Sequence, residues 1–139
     1  MYSTQVKLST KSEYACLALI ALTEHYRSGY MRIIDISKQQ HIPKKYLEQI
    51  LLSLKGARYV KSKLGPEGGY ALARPPETIS LAEIIRLMDG ALAPSLSVSE
   101  YFYKSTPIER HTKLHSLLSE IRNYISEKLE NTNFTDLTT

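Results

Sequence analysis

Residues 38–74 constrain this chain more than any other part of it. They hold eight basic residues (Lys38, Lys44, Lys45, Lys55, Arg58, Lys61, Lys63, Arg74) and two acidic ones (Glu48, Glu67), a local net charge of +6 against +4 for all 139 residues. The remainder is therefore slightly acidic. Positive charge gathered on one short module implies a polyanion as partner. Apolar spacing gives the module its shape. Residues 33–40 read as a short helix and His41-Ile42 as a turn. Pro43 suits the first position of a further helix, where its missing N–H is not needed. Over 43–57, Leu47, Ile50, Leu51 and Leu54 recur at i, i+3, i+4 and i+7 and form one buried stripe. At about 100° per residue, the opposite arc holds Lys44, Lys45, Glu48, Gln49, Leu52 and Lys55. That arc is polar and mostly basic, with Leu52 its apolar exception.

Two helices joined by such a turn match helix-turn-helix geometry, whose second helix enters a major groove. Residues 59–63 and 70–73 follow as paired strands around Leu64-Gly65-Pro66-Glu67-Gly68-Gly69. Gly65, Gly68 and Gly69 permit positive φ and let a loop tip approach another backbone closely. A hairpin directly after a helix-turn-helix is a wing, and Lys61 and Lys63 share one of its faces.

The flanking sequence reads as support. Thr10 to Glu13 has capping-box spacing, and the apolar run 14–22 after it predicts a helix enclosed on several sides. Pro75-Pro76 breaks the chain. Ser80 to Glu83 is a second capping box, opening a helix that ends at Asp89-Gly90. Residues 91–105 have no clear period. Thr106 to Glu109 is a third capping box, predicting a helix to about residue 130, roughly 35 Å long. Leu114, Leu117, Leu118, Ile121, Ile125 and Leu129 line one side of it. The preceding domain cannot cover so long a stripe, so a second chain is its natural cover. Phe134 and Leu137 can pin the polar tail back onto the body.

The fold class expected is mainly α: a winged helix-turn-helix domain over 1–90, a linker or sensor loop over 91–105, a dimerisation helix over 106–131 and a tail over 132–139. No apolar run reaches the ~18–20 residues of a membrane span, and the N-terminus lacks a signal-peptide layout. With Cys16 as the one cysteine, no intrachain disulfide can form. These features point to a cytoplasmic protein with no membrane partner. No nucleophile–base set, carboxylate pair or phosphate-cradling loop stands out, so no catalytic residue is assigned. His111 and His115 lie four apart, a spacing able to hold zinc, but no third ligand is near in sequence; they read as a surface pair.

The segments LSTKSEYACLALIAL, IPKKYLEQILLSLKGARYV, VKSKLGPEGGYALARPP, ISLAEIIRLMDG and FTDL together resemble the small winged-helix repressors of the IscR/NsrR/CymR type. The resemblance implies a homodimer on double-stranded DNA at a pseudo-palindromic operator. By motif match it places base-reading positions on Tyr46, Glu48 and Gln49. Glutamate can accept from cytosine N4, and glutamine can pair with adenine. Packing under the helix is the alternative for Tyr46. Lys44, Lys45, Lys55, Lys61 and Lys63 are the phosphate candidates.

The chain departs from that pattern in three places. Relatives often carry three cysteines for an iron–sulfur cluster in the loop after Gly90, where this chain has none, so no cluster and no metal or other cofactor is expected. Leu64 stands where arginine commonly precedes the wing glycine. Arg58 stands where a glycine usually follows the recognition helix, so either that helix ends differently or Gly56 takes the strained position. Tyr101, Phe102 and Tyr103, in the loop where relatives keep a cluster, are candidates for a small-molecule or protein effector; simple packing on the long helix is their other reading. The function expected is a dimeric, sequence-specific DNA-binding transcriptional regulator, a repressor rather than an activator. The alternative is a winged-helix protein-interaction module without DNA binding.

Overall fold

The computed structural model describes residues 8–90, 98–99 and 104–138. Among them the chain runs α1 (Thr10–Glu24), α2 (Ile33–Gln40), α3 (Lys44–Gly56), β1 (Val60–Lys63), β2 (Gly69–Leu72), α4 (Leu81–Asp89) and α5 (Thr112–Glu130), with short 3-10 turns between. Helix α1 is the hub, touching α2, α3, α4, β2 and the C-terminal turn. Its small residues permit this: Ala15, Ala18 and Ala21 are buried beside Leu19 and Leu22, so neighbours approach from several directions. Its cap is Ser9, not Thr10. The Ser9 hydroxyl accepts from the Ser12 N–H, and Ser9 also donates its backbone N–H (3.0 Å) and its hydroxyl to the Asp89 carboxylate. A partner eighty residues away thus chooses between adjacent candidate caps.

The stripe Leu47, Ile50, Leu51 and Leu54 is buried as its spacing requires, against Ile36, Ile42, Val60 and Leu72. Strand β1 pairs antiparallel with β2 in the register Val60 to Leu72, Lys61 to Ala71, Ser62 to Tyr70 and Lys63 to Gly69. A bridge from Met31 to Tyr70 adds one residue pair on the far side of β2, with both backbone hydrogen bonds at 2.8 Å.

Helix α3 ends on a Schellman motif built without glycine. Tyr59 N–H donates to Leu54 O (2.9 Å) and Arg58 N–H to Lys55 O (3.0 Å), which puts Arg58 at φ 67°. Arg58 itself takes the left-handed conformation, so neither sequence expectation holds. An L-residue there costs roughly 1–2 kcal/mol, and Arg58 is exposed. Arg58→Gly is therefore expected to raise stability by about 1 kcal/mol, read as a higher denaturation midpoint. A lower midpoint would mean that the arginine side chain holds the junction.

The Ser80 box forms as read. Glu83 N–H donates to Ser80 Oγ (3.2 Å) and Ser80 N–H to Glu83 Oε2 (2.8 Å). The Thr106 box does not open the long helix. Residues Pro107–Arg110 make a 3-10 turn, Thr106 gives no side-chain cap, and Glu109 Oε2 accepts from the Ser105 hydroxyl at 2.7 Å. Helix α5 starts only at Thr112, with extended His111 before it, and is about 28 Å long. Beyond it, Phe134 enters the same core cluster as α1, α3 and Ile79 and is 0% exposed. Leu137 stays partly exposed.

Candidate nucleic-acid interface

The turn before α3 is fixed locally. His41 is left-handed at φ 55°, Ile42 N–H donates to Ser37 O (3.1 Å), and the Ser37 hydroxyl donates to Ile42 O (2.6 Å). Buried Ile42 then sends the chain into α3, whose N-cap is Pro43. No side chain caps that terminus and no acidic residue lies in its first turn. Lys44 and Lys45 occupy that turn instead, at the positive end of the helix dipole, which disfavours them by about 0.3–1 kcal/mol each. A phosphate at the same place would reverse the sign, drawn by the free N–H groups and both ammonium groups.

The outward arc emerges as read: Lys44, Lys45, Glu48, Gln49, Leu52 and Lys55 are all exposed. Among the described residues, none of the arc's three lysines forms an ion pair. Tyr46 is 60% exposed, with its ring centroid 6.4 Å from that of Tyr14. It flanks the helix and does not pack beneath it.

On the wing, Lys61 and Lys63 are exposed on one face, and Leu64 projects at 95% exposure. The glycines divide by role. A Cβ on Gly65 would meet nothing within 4 Å, so the tip is open there, whereas one on Gly68 would sit 2.1 Å from Lys63 O. Gly68 is buried and serves the turn itself. Gly69 lies tight against Met31.

One basic residue of the charged stretch is already engaged. Arg74 Nη2 donates to Glu83 Oε1 (2.8 Å) and its guanidinium lies 4.4 Å from the Tyr59 ring centroid. Tyr59 Oη donates to the same oxygen at 3.1 Å. This cluster ties the wing base to α4. Burial pushes the Tyr59 hydroxyl pKa up, and the Glu83 charge beside it adds to the rise. Burial also opposes the Glu83 charge, but the Ser80 N–H and hydroxyl with the Tyr59 and Arg74 donors outweigh it and hold the carboxyl below its ordinary 4.5. A carboxylate lowered on folding stabilises above its unfolded pKa, and that contribution fades as pH falls toward the folded value. The stability gap between wild type and Glu83→Gln should therefore be flat near neutrality and shrink below about pH 4.5. Denaturant titrations at several pH values check this; a gap unchanged down to about pH 3 would contradict it.

The long helix presents its stripe obliquely. Ser126 is its buried residue, while Leu118, Ile125 and Leu129 are partly covered. Leu114, Leu117 (52% exposed), Ile121 and Tyr124 are open. The open arc is centred nearly half a turn from Ser126. The period identified the stripe but missed Tyr124, which an aromatic residue at that spacing signals only weakly.

The family pattern raises an iron–sulfur cluster, which the donor set does not fit. The chain has one cysteine. Its thiol is pushed up to about 12, chiefly by burial and also by Asp89 and Glu13. Among the described residues no group of three or more His, Cys, Asp or Glu is placed to hold a metal. Residues 101–103 lie outside the described residues. No described helix is long and apolar enough to cross a membrane.

A helix-turn-helix with an uncapped, lysine-bearing second helix and a glycine-tipped hairpin defines the winged helix-turn-helix class. Within that class the chain belongs to the Rrf2 family of transcriptional regulators: the family model described as "Iron-dependent Transcriptional regulator" matches residues 8–139. It is 31% identical to CymR of Bacillus subtilis over 132 residues, 95% of this chain and 89% of that one. It is 42% identical to IscR of Cereibacter sphaeroides over 86 residues, 60% of this chain and 56% of that one. The chain thus spans little more than half the length of the curated relatives it matches at 40–42% identity. Among solved structures, CymR, "the Global Cysteine Regulator of B. subtilis", superposes with TM-score 0.78 at 31% identity, covering 96% of both chains. T. potens IscR superposes at 0.74 and 30% identity, covering 94% of this chain and 85% of that one.

Proposed function

We propose that the protein is a homodimeric, sequence-specific DNA-binding repressor of transcription that works without an iron–sulfur cluster. The observation that carries this is the first turn of α3, where two lysines sit against their own helix dipole with free N–H groups beside them. Lys44, Lys45, Lys55, Lys61 and Lys63 contact phosphates. Glu48 and Gln49 face base edges, with Tyr46 on the flank, and the open Gly65 tip follows the backbone. Two protomers join along one side of α5, through the open Leu114, Leu117, Ile121 and Tyr124 and the partly covered Leu118, Ile125 and Leu129, and so span two half-sites of a pseudo-palindrome. A small-molecule or protein signal enters through 91–105 and its Tyr101, Phe102 and Tyr103, which join reader to dimer helix.

The test is a gel-shift titration of the full chain on the region upstream of its own gene, across salt. With several phosphate contacts, affinity should fall by ~10³–10⁵ between about 50 and 200 mM. Replacing Lys44 and Lys45 together by alanine removes four phosphate contacts from the dimer, so it should weaken binding to every sequence and lower the log–log salt slope by about 3.6. An unchanged slope would remove α3 from the interface. A wild-type chain indifferent to DNA at low salt would favour the protein-interaction reading.

A further inference from the structure

The alternation of the hairpin makes Lys61 and Lys63 two charges on one face. The fold sets one aromatic ring against both of them. Each Nζ lies 5.8 Å from the centroid of the Tyr30 ring. The register shows why there is room. Lys61 stands opposite Ala71 and Lys63 opposite Gly69, so the return strand is low on this face. Tyr30 precedes Met31, which bridges to Tyr70 on the far side of β2, and its ring reaches across the two small residues. Tyr30 does not serve the hydrophobic core. Its neighbours Tyr26 and Met31 pack on the core cluster, and Tyr30 is not among the residues that do. Tyr30, Lys61 and Ala71 also line a cleft of about 280 Å³, together with His25, Tyr26 and Arg27.

We propose that Tyr30 is a positioning residue: its ring gathers the Lys61 and Lys63 ammonium groups into a preformed clamp for one DNA phosphate. The inference rests on the DNA-binding reading above. Two free lysine side chains lose rotamer entropy when they converge on an anion. Two ammonium groups also repel each other. The electron-rich ring face attracts both before any ligand arrives, so part of that ordering is complete in the free protein. An anion seated between the two charges then meets a ready pair of donors.

Two measurements on the full chain test this. In the free protein, the lysine Hε protons of residues 61 and 63 should show upfield ring-current shifts, kept in Tyr30→Phe and lost in Tyr30→Leu. Unshifted protons in the wild type would overturn the clamp independently of any DNA result. On duplex DNA at low salt, Tyr30→Leu should weaken binding about two- to fivefold, the range expected of exposed cation–π contacts, and Tyr30→Phe less than twofold. The Tyr30→Leu effect should vanish when Lys61 and Lys63 are both glutamine. An equal loss in that background would mean a merely structural ring and overturn the proposal. A wild type with ring-shifted lysines that binds no duplex would overturn the DNA reading and, with it, phosphate as the clamp's ligand.

Discussion

Phe134→Ala is expected to remove about 3–5 kcal/mol of folding stability, the range for emptying a well-packed phenylalanine site. Phe134 is the largest fully buried side chain of the described residues. The backbone around it holds it in place. Phe134 N–H donates to Ile79 O (3.2 Å), Leu81 N–H to Thr132 O (2.8 Å), and Asn133 bridges to Ser80. A reciprocal Asn133–Asp136 capping box closes the final turn. A segment so anchored cannot shift to fill a void, so the cavity term should be felt nearly in full. Domains have about 5–15 kcal/mol in total, so thermal melting should fall by roughly 10–20 °C. A loss under about 1.5 kcal/mol would mean that the site collapses and that the tail is not a latch.

Gly69→Ala should unseat the wing. Its Cβ would lie 2.3 Å from Met31 O, 2.6 Å from Met31 C and 2.9 Å from Arg32 N, all backbone atoms with no rotamer to yield. The residue's φ of 142° adds strain for any L side chain. Relief requires β2 to part from Met31, giving up both bridge hydrogen bonds, and the combined loss should be on the order of 3 kcal/mol. The specific readout is amide exchange at Met31 and Tyr70, whose protection should disappear. Gly65→Ala is the control, because it carries positive φ but meets nothing, so its effect should be milder and leave the bridge intact. Retained protection in Gly69→Ala would show that the two segments do not depend on that close approach.

Helix α3 was legible in advance because its signal is local and repeated. Four apolar residues at helical spacing fix which side is buried, and the polar arc follows by geometry. The Ser80 box was legible for the same reason. The Thr10 and Thr106 boxes show where such reasoning stops. The first lost to Ser9, which Asp89 holds from the far end of α4, and the second lost Glu109 to the Ser105 hydroxyl. A four-residue pattern carries no trace of such competitors. Arg58 in a left-handed cap ran against propensity, because the Leu54, Lys55, Arg58 and Tyr59 hydrogen bonds fix the backbone whichever side chain stands there. Tyr30 was invisible because it joins the wing lysines only through the register of β2 against Met31. The apolar stripe of α5 was read from period alone, but which part of it stays open depends on how the helix lies on the body.

The burial of Phe134 also bears on how this molecule is made. Synthesis runs from the N-terminus, so the winged module emerges before the ring that completes its interior. Roughly 45 further residues must be added first, on the order of 2–9 s at ordinary elongation rates. Throughout that interval the seat beside Ile79 stands open to solvent. The nascent module is then a sticky, half-finished body that a chaperone can hold.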